Sequence, residues 1–374
     1  MQPHEQVLAD LGARGRLRSL AQIRGRDFTS NDYLALAKSD ALRRAVAEAL
    51  ERGVPVGAGG SRLLRGNHPE HEALEEEAAR FFGHETALYF STGFAANAAI
   101  AATLPRRDDL IVFDALMHAS FRDGLEPQRI ETAMVPHNDV DAIADAIIAW
   151  RRRGGRGRPW IAVETLYGMD GDRAPLADLV ALAARHEAML ILDEAHATGV
   201  HGPQSRGLGA SHEGQPNIVT LHTCGKALGA AGALVCLPRE LRDFMINRAR
   251  AFVYSTAPSP LMAAAVRAAL KICAGADAER ARLQALVAHA GGLMRRKLGM
   301  TPSGSQVQPI IVGGDLKAVR LAAALQAKGH DIRAIRPPTV PEGTARLRLA
   351  LTLHADEAIL EELFDDLAAE MVEA

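Results

Sequence analysis

Cysteine is scarce in this chain: three residues in 374. Cys224, Cys236 and Cys273 are widely spaced and form no C-x-x-C pair, which argues against a disulfide framework and against a zinc site. An excess of either charge is also missing. The formal net charge is −2, and no basic stripe runs through the sequence, so a dedicated nucleic-acid binder is excluded. The one dense basic run, "WRRRGGRGRPW" (150–160), lies between a helical and a strand pattern and reads as a solvated connection. No apolar run reaches membrane-spanning length. The first residues, "MQPHEQVLADLGARGRLRSL", hold no apolar signal-peptide core. The expectation is a cytoplasmic, reducing setting, with no membrane or nucleic-acid partner and no metal.

The length suffices for two packed domains or one large one. No internal repeat is visible. From about residue 70 to 240, short apolar runs alternate with helical patterns. "TALYFS", "LIVFD", "WIAVET", "AMLILDE", "IVTLHT" and "GALVCLP" read as strands. "PEHEALEEEAARFFG", "TGFAANAAIAATL", "VDAIADAIIAWRRR" and "PLADLVALAARHE" read as helices. Apolar runs of this length separated by helices predict an α/β domain with a mostly parallel sheet covered on both faces. The expected organisation is an N-terminal arm (1–40) with a short strand around "RDFTSNDYL", then a large α/β domain (41–257). A bridging helix (258–298) and a small C-terminal α/β domain (299–374) follow.

In open α/β sheets ligands gather where strands end, and three strand ends carry unusual residues. In "LYFSTGFAANAA" a strand stops at Ser91 and a helix starts at once, offering free backbone N–H groups suited to a phosphate. In "MLILDEAHATG", Asp193 and Glu194 follow an apolar strand and His196 lies three residues after Asp193. That string also spells a helicase box, which requires a preceding phosphate loop, G-x-x-x-x-G-K-[ST]. The only Gly-Lys pair is Gly225-Lys226. It follows the acidic pair, ends in Ala227, and has Thr220 where the first glycine belongs, so the helicase reading fails. The third is "LHTCGKALGAAGALVCLP" (221–238), in which Lys226 is the only charged side chain. A lysine among apolar neighbours loses solvation of its charged form, and a neutral amine can form a Schiff base. A strand-end aspartate, a lysine on the next strand–turn unit and a phosphate-binding helix start are together the parts that pyridoxal phosphate requires.

Nine ordered strings carry a resemblance over nearly the whole chain. They are "SNDYLAL" (30–36), "GAGGSRLLRGN" (57–67), "STGFAAN" (91–97), "HAS" (118–120), "MDGDRAPL" (169–176), "DEAHATGVHG" (193–202), "TCGKALG" (223–229), "YSTAPSP" (254–260) and "RPPTVPEGTARLRLALT" (336–352). On these the chain resembles the α-oxoamine synthases, fold-type-I pyridoxal phosphate enzymes with a seven-stranded-type sheet in a large domain. The resemblance implies that Lys226 carries the cofactor aldehyde, Asp193 pairs with the ring nitrogen and His196 bonds the ring hydroxyl. His118 would stack on the ring, serve in proton transfer and meet substrate. Gly93 and Phe94 would present phosphate-binding amides and Thr223 a hydroxyl. Thr256 would reach the phosphate of a neighbouring subunit, because family sites lie at a homodimer interface. Glu164 would be an acid beside the cofactor. Gly168 departs from the family, where serine is common and helps hold the cofactor. Arg336 and Arg348 both remain candidates for the amino-acid carboxylate, with Asn31 a further substrate contact. Thr339 and Arg18 would contact the acyl substrate, Arg16 being an equally spaced rival of Arg18.

The implied activity is a decarboxylative condensation of an α-amino acid with an acyl thioester. The paired prolines after Arg336 favour the branch of the family that uses L-alanine and a pimeloyl group, carried on coenzyme A or acyl carrier protein, in biotin biosynthesis. The alternatives are 5-aminolevulinate synthase, 2-amino-3-ketobutyrate ligase and serine palmitoyltransferase, and a non-catalytic regulator that binds the cofactor as a ligand. Such regulators carry an added DNA-binding module, for which a chain so fully covered by the resemblance leaves no length.

Overall fold

Seven short runs of five or six residues, five of them buried along their whole length, build the centre of the larger unit. The computed structural model describes residues 3–22, 24–126 and 128–373. They divide into two compact units. One comprises residues 36–167 and 173–277; the other comprises 1–35, 168–172 and 278–374.

In the larger unit the sheet order is Thr86–Phe90, Ala233–Leu237, Ile218–Thr223, Met189–Asp193, Pro159–Glu164, Leu110–Asp114, Glu131–Val135. The last five strands pair in parallel, and Ala233–Leu237 runs antiparallel to both its neighbours. Strand side chains alternate between faces, and here both faces are apolar. Ile111, Phe113, Trp160, Ala162, Met189 and Ile191 join one core with Ala96, Ile100 and Phe121 from helices. Leu110, Val112, Ile161, Val163, Leu190 and Leu192 join the other with Ile147, Trp150, Leu179 and Leu182. Each Val, Leu, Ile, Phe or Met side chain among them taken from water stabilises by about 1.5–3 kcal/mol. Glu131–Val135 is an edge strand, mostly open to solvent, and its mixed composition gives no strand signal.

The basic run 150–160 ends the helix Val140–Arg152. Arg151 donates to the carbonyls of Gly155 and Gly157, Arg158 to that of Glu187, and Arg153 pairs with Glu131. Cations at a helix C-terminus complement its dipole. The run is a connection that caps its own helix.

The expected bridging helix (258–298) is two helices. Pro260–Ala274 belongs to the larger unit; Gly275 closes it, and Asp277–Leu293 begins a new helix. Glycine destabilises a helix interior by about 1 kcal/mol relative to alanine, and the chain breaks there. The smaller unit holds a three-stranded antiparallel sheet ordered Ala334–Ile335, Ala345–Ala350, Val307–Gly313. It also holds helices Asp315–Ala327 and Glu357–Glu373. The run "DIRAIRP", read as one strand, divides. His330–Asp331 pairs in parallel with Arg26–Asp27, and Ala334–Ile335 joins the antiparallel sheet. The short strand expected in the first 40 residues is therefore present. A helix over Pro3–Ala13 precedes it, with no buried residue and so no strong apolar stripe to announce it.

A buried polar chain braces the turn after Asp193. Thr198 Oγ1 donates to the Glu194 carbonyl at 2.8 Å, so it accepts from His222 Nδ1, also at 2.8 Å. His222 Nε2 then accepts from Thr220 Oγ1 at 2.8 Å, which leaves Thr220 to accept from His84 Nε2 at 3.3 Å. Each link thus uses its own donor's proton, and the chain closes with a neutral His222 protonated on Nδ1, whose ring stacks on Phe82 with centroids 3.6 Å apart. Burial holds His222 well below the usual histidine range and pushes His84 down to about 4.

Both groups lower their affinity for protons on folding, so the unfolded chain binds more protons below pH 6.5. Their contribution is complete above that pH and is lost as pH falls toward 4. Glu194 and Glu213, whose carboxyls are raised to about 7 and about 8, titrate with the opposite sign in that window, so urea unfolding of the cofactor-free protein should show each histidine by difference, as up to about 1.4 kcal/mol per pH unit. His84→Asn should flatten the slope by about one histidine's share; an unchanged slope would show that His84 is not held neutral.

Candidate active site

Three strand ends of the larger unit converge on Lys226. The strand Met189–Asp193 ends in a carboxylate, Ile218–Thr223 leads into the turn carrying the lysine, and Thr86–Phe90 leads into the helix Gly93–Thr103. Lys226 is half-buried, between exposed Gly225 and buried Ala227. Its Nζ lies 2.9 Å from His196 Nε2. Two of the expected site residues are thus in direct contact.

Asp193 is 3% exposed. Its Oδ1 accepts from the Ala195 amide at 2.9 Å and its Oδ2 from Asn97 Nδ2 at 2.6 Å. Asp193 lies in register with Glu164 on the neighbouring strand, which is also buried. Glu194 points elsewhere. It accepts from Thr165 Oγ1 and from the amides of Leu208 and Gly209 at 2.5–3.0 Å. Burial pushes its carboxyl up to about 7 against those three donors, and it tethers the 207–209 segment to the strand end.

Thr92 caps the helix Gly93–Thr103, its hydroxyl accepting from the Ala95 amide at 3.0 Å. Such a cap is worth about 1 kcal/mol and leaves neighbouring first-turn amides free for an anion. Thr223 Oγ1 donates to the Ala195 carbonyl at 3.3 Å. A Cβ on Gly93 would stand only 2.6 Å from Thr223 Cγ2, so the seat accepts no side chain there. Phe94 is about half exposed and Thr256 is exposed. The residue after Thr256, Ala257, donates its amide to the Gly60 carbonyl, tying two of the quoted motifs together.

His118 caps the helix Ala119–Leu125. Its Nδ1 accepts from the Ser120 amide at 3.2 Å and lies 2.7 Å from Ser120 Oγ. An accepting Nδ1 puts the proton of the neutral ring on Nε2. Part of the ring faces open space, yet the surrounding protein strips enough water to lower its proton affinity. Lys226 lowers it further, and Asp193 opposes.

In the smaller unit the arginines differ by what neutralises them. Arg16 is held by Asp315 at 2.5 Å and by both oxygens of Glu342. Arg18 bonds a hydroxyl, Thr339 Oγ1, at 3.0 Å. Arg346 is paired with Asp170. Arg348, 6% exposed, meets neutral acceptors: the Gly168 carbonyl at 2.5 Å, Asn31 Oδ1 at 2.9 Å and the Tyr33 hydroxyl at 3.5 Å. Arg336 donates to the Gly15 carbonyl, and burial followed by repulsion from Arg18 lowers its proton affinity. Asn97, Tyr33 and Ser120 were not singled out in the sequence, although each lies inside a quoted motif.

An amine, a buried carboxylate held by two donors and a capped helix start that excludes a side chain are the fittings of a pyridoxal phosphate enzyme, and the site is of that class. A model of the aminotransferase class I and II family matches residues 25–367. An 8-amino-7-oxononanoate synthase of Anaeromyxobacter sp. (strain K) is 41% identical over 97% of this chain and 94% of its own. That of Burkholderia lata is 42% identical, over 98% and 95%. Among solved structures, the serine palmitoyltransferase of S. paucimobilis shares the fold with a TM-score of 0.90 at 24% identity, covering 100% of this chain and 97% of that one. An 8-amino-7-oxononanoate synthase from Francisella tularensis matches with a TM-score of 0.79 at 27% identity, over 93% and 98%. The chain belongs to the aminotransferase class I and II family and, within it, to the 8-amino-7-oxononanoate synthases.

Borohydride treatment of the protein with pyridoxal phosphate should fix the cofactor on the peptide containing Lys226, read by mass spectrometry. Lys226→Ala should abolish turnover. Label on a different lysine would reassign the site.

Proposed function

We propose that the protein condenses L-alanine with a pimeloyl thioester, giving 8-amino-7-oxononanoate, carbon dioxide and the free thiol carrier, as a step of biotin biosynthesis. The observation that carries this reading is the likeness to curated relatives 41–42% identical over nearly the whole chain, supported by the Lys226–His196 contact and the buried, doubly held Asp193. Coenzyme A and acyl carrier protein both fit as the thiol carrier.

Bound pyridoxal phosphate supplies an electron sink for the substrate's α-carbon. Lys226 Nζ would hold the cofactor aldehyde and, with the amino acid bound, would move the α-proton. Asp193 holds the ring nitrogen protonated, and His196 sets the ring hydroxyl. His118, with its proton on Nε2, covers the ring face and serves proton transfer. The Gly93 and Phe94 amides and the Thr223 hydroxyl seat the phosphate, and Glu164 stands by as a buried acid. Gly168 forgoes a side-chain contact with the cofactor; its carbonyl instead orients Arg348.

Arg348 is the residue we assign to the amino-acid carboxylate, with Asn31 beside it. Burial among neutral acceptors, with no carboxylate partner among the described residues, leaves a guanidinium charge for an incoming anion to answer. Arg16 is already answered by two acids, so Arg18 with Thr339 is the assignment for the acyl substrate. A homodimer is supported by the exposed apolar side chains Val56, Leu63, Leu64 and Tyr254, which accompany the quoted loops 57–67 and 254–260. Thr256 would there reach the phosphate in the partner subunit. Among the described residues no helix is long and apolar enough to cross a membrane. Three buried free cysteines support the cytoplasmic setting.

The test is product identification by mass spectrometry with a panel of amino acids and thioesters. L-Alanine with a pimeloyl thioester should give the highest specificity constant; a win for glycine with succinyl-coenzyme A would keep the cofactor chemistry and overturn the substrate. Arg348→Ala should raise the KM for alanine about tenfold to a hundredfold, the loss of a charged hydrogen-bond partner worth ~1.5–3 kcal/mol. Arg336→Ala should leave that KM within a few-fold.

A further inference from the structure

We propose that Asn97 is a positioning residue, which fixes the plane of the Asp193 carboxylate and ties it to the helix that starts at Gly93. The inference rests on the reading of the site as a pyridoxal phosphate site. Asn97 is 2% exposed and Asp193 3%. Their contact, Asn97 Nδ2 to Asp193 Oδ2 at 2.6 Å, joins the helix Gly93–Thr103 to the end of the strand Met189–Asp193. The amide must present its NH₂, because the carbonyl end would face a carboxylate. The price is visible: Asn97 Oδ1 is buried with no hydrogen-bond partner among the described residues. A buried polar atom left unpaired is costly, so the orientation is set by what Nδ2 does.

With Ala195 holding Oδ1 and Asn97 holding Oδ2, neither oxygen of Asp193 turns freely. Asn97 lies four residues after Gly93, one helical turn along. The helix whose first-turn amides are assigned to the phosphate therefore also holds the carboxylate assigned to the ring nitrogen. One rigid element sets both ends of the cofactor, and the direction of Asp193 is fixed before anything binds.

The test compares the parent, Asn97→Ala and Asn97→Asp, each titrated with pyridoxal phosphate and followed by its visible absorption band, then by kcat and KM for alanine. Asn97→Asp keeps the shape but places a carboxylate where the donor was. Both variants should bind cofactor, show a displaced band, and lose at least tenfold in kcat with KM for alanine changed less than threefold. Asn97→Asp should lose at least as much as Asn97→Ala. Parent-like band and kcat in Asn97→Asp would overturn the proposal, showing that side-chain volume is all that matters; so would parent-like values in Asn97→Ala. Should Asn97→Ala fail to fold, the isosteric variant decides alone. A parent protein that shows no band on titration would instead overturn the cofactor reading itself.

Discussion

A parallel sheet buried on both faces leaves polar side chains little place along its strands. In the larger unit, alternate residues of Leu110–Asp114, Pro159–Glu164 and Met189–Asp193 enter two separate apolar cores. The first sites at which a carboxylate is tolerated are the strand ends, where backbone and side-chain donors are available. Asp114, Glu164 and Asp193 each close their strands in this way. The chemistry is concentrated because the packing expels it.

That same constraint made much of the fold legible. Continuous apolar runs announced the buried strands, and the glycine-rich punctuation after them announced the turns. What escaped reading lacked one of those signals. Glu131–Val135 is an edge strand with a mixed surface. Pro3–Ala13 buries nothing, so its helical period leaves little trace. Gly275 breaks the helical stretch after Pro258, a break that helical periodicity alone does not locate. Of the site, Lys226, Asp193 and His196 stood out by type and placement. Asn97 and Tyr33 did not, because a neutral side chain inside a motif reveals its purpose only through the partner it meets.

The arginines show what sequence cannot weigh. Arg16 and Arg18, or Arg346 and Arg348, are alike in spacing and residue type. In the fold, Arg16 and Arg346 are answered by carboxylates, while Arg18 and Arg348 meet hydroxyl, amide and carbonyl oxygens. Neutralised cations brace structure. Cations left with neutral partners retain a field that an anion can complete.

The three cysteines, noted first for their scarcity, are all buried and unbridged. Burial raises the thiols of Cys224 and Cys236 above the ordinary cysteine range, which withholds the thiolate that oxidants and electrophiles attack. Sulfur chemistry at these two positions is therefore gated by access and ionisation together, and both gates open only when strand Ala233–Leu237 and the turn after Thr223 come apart.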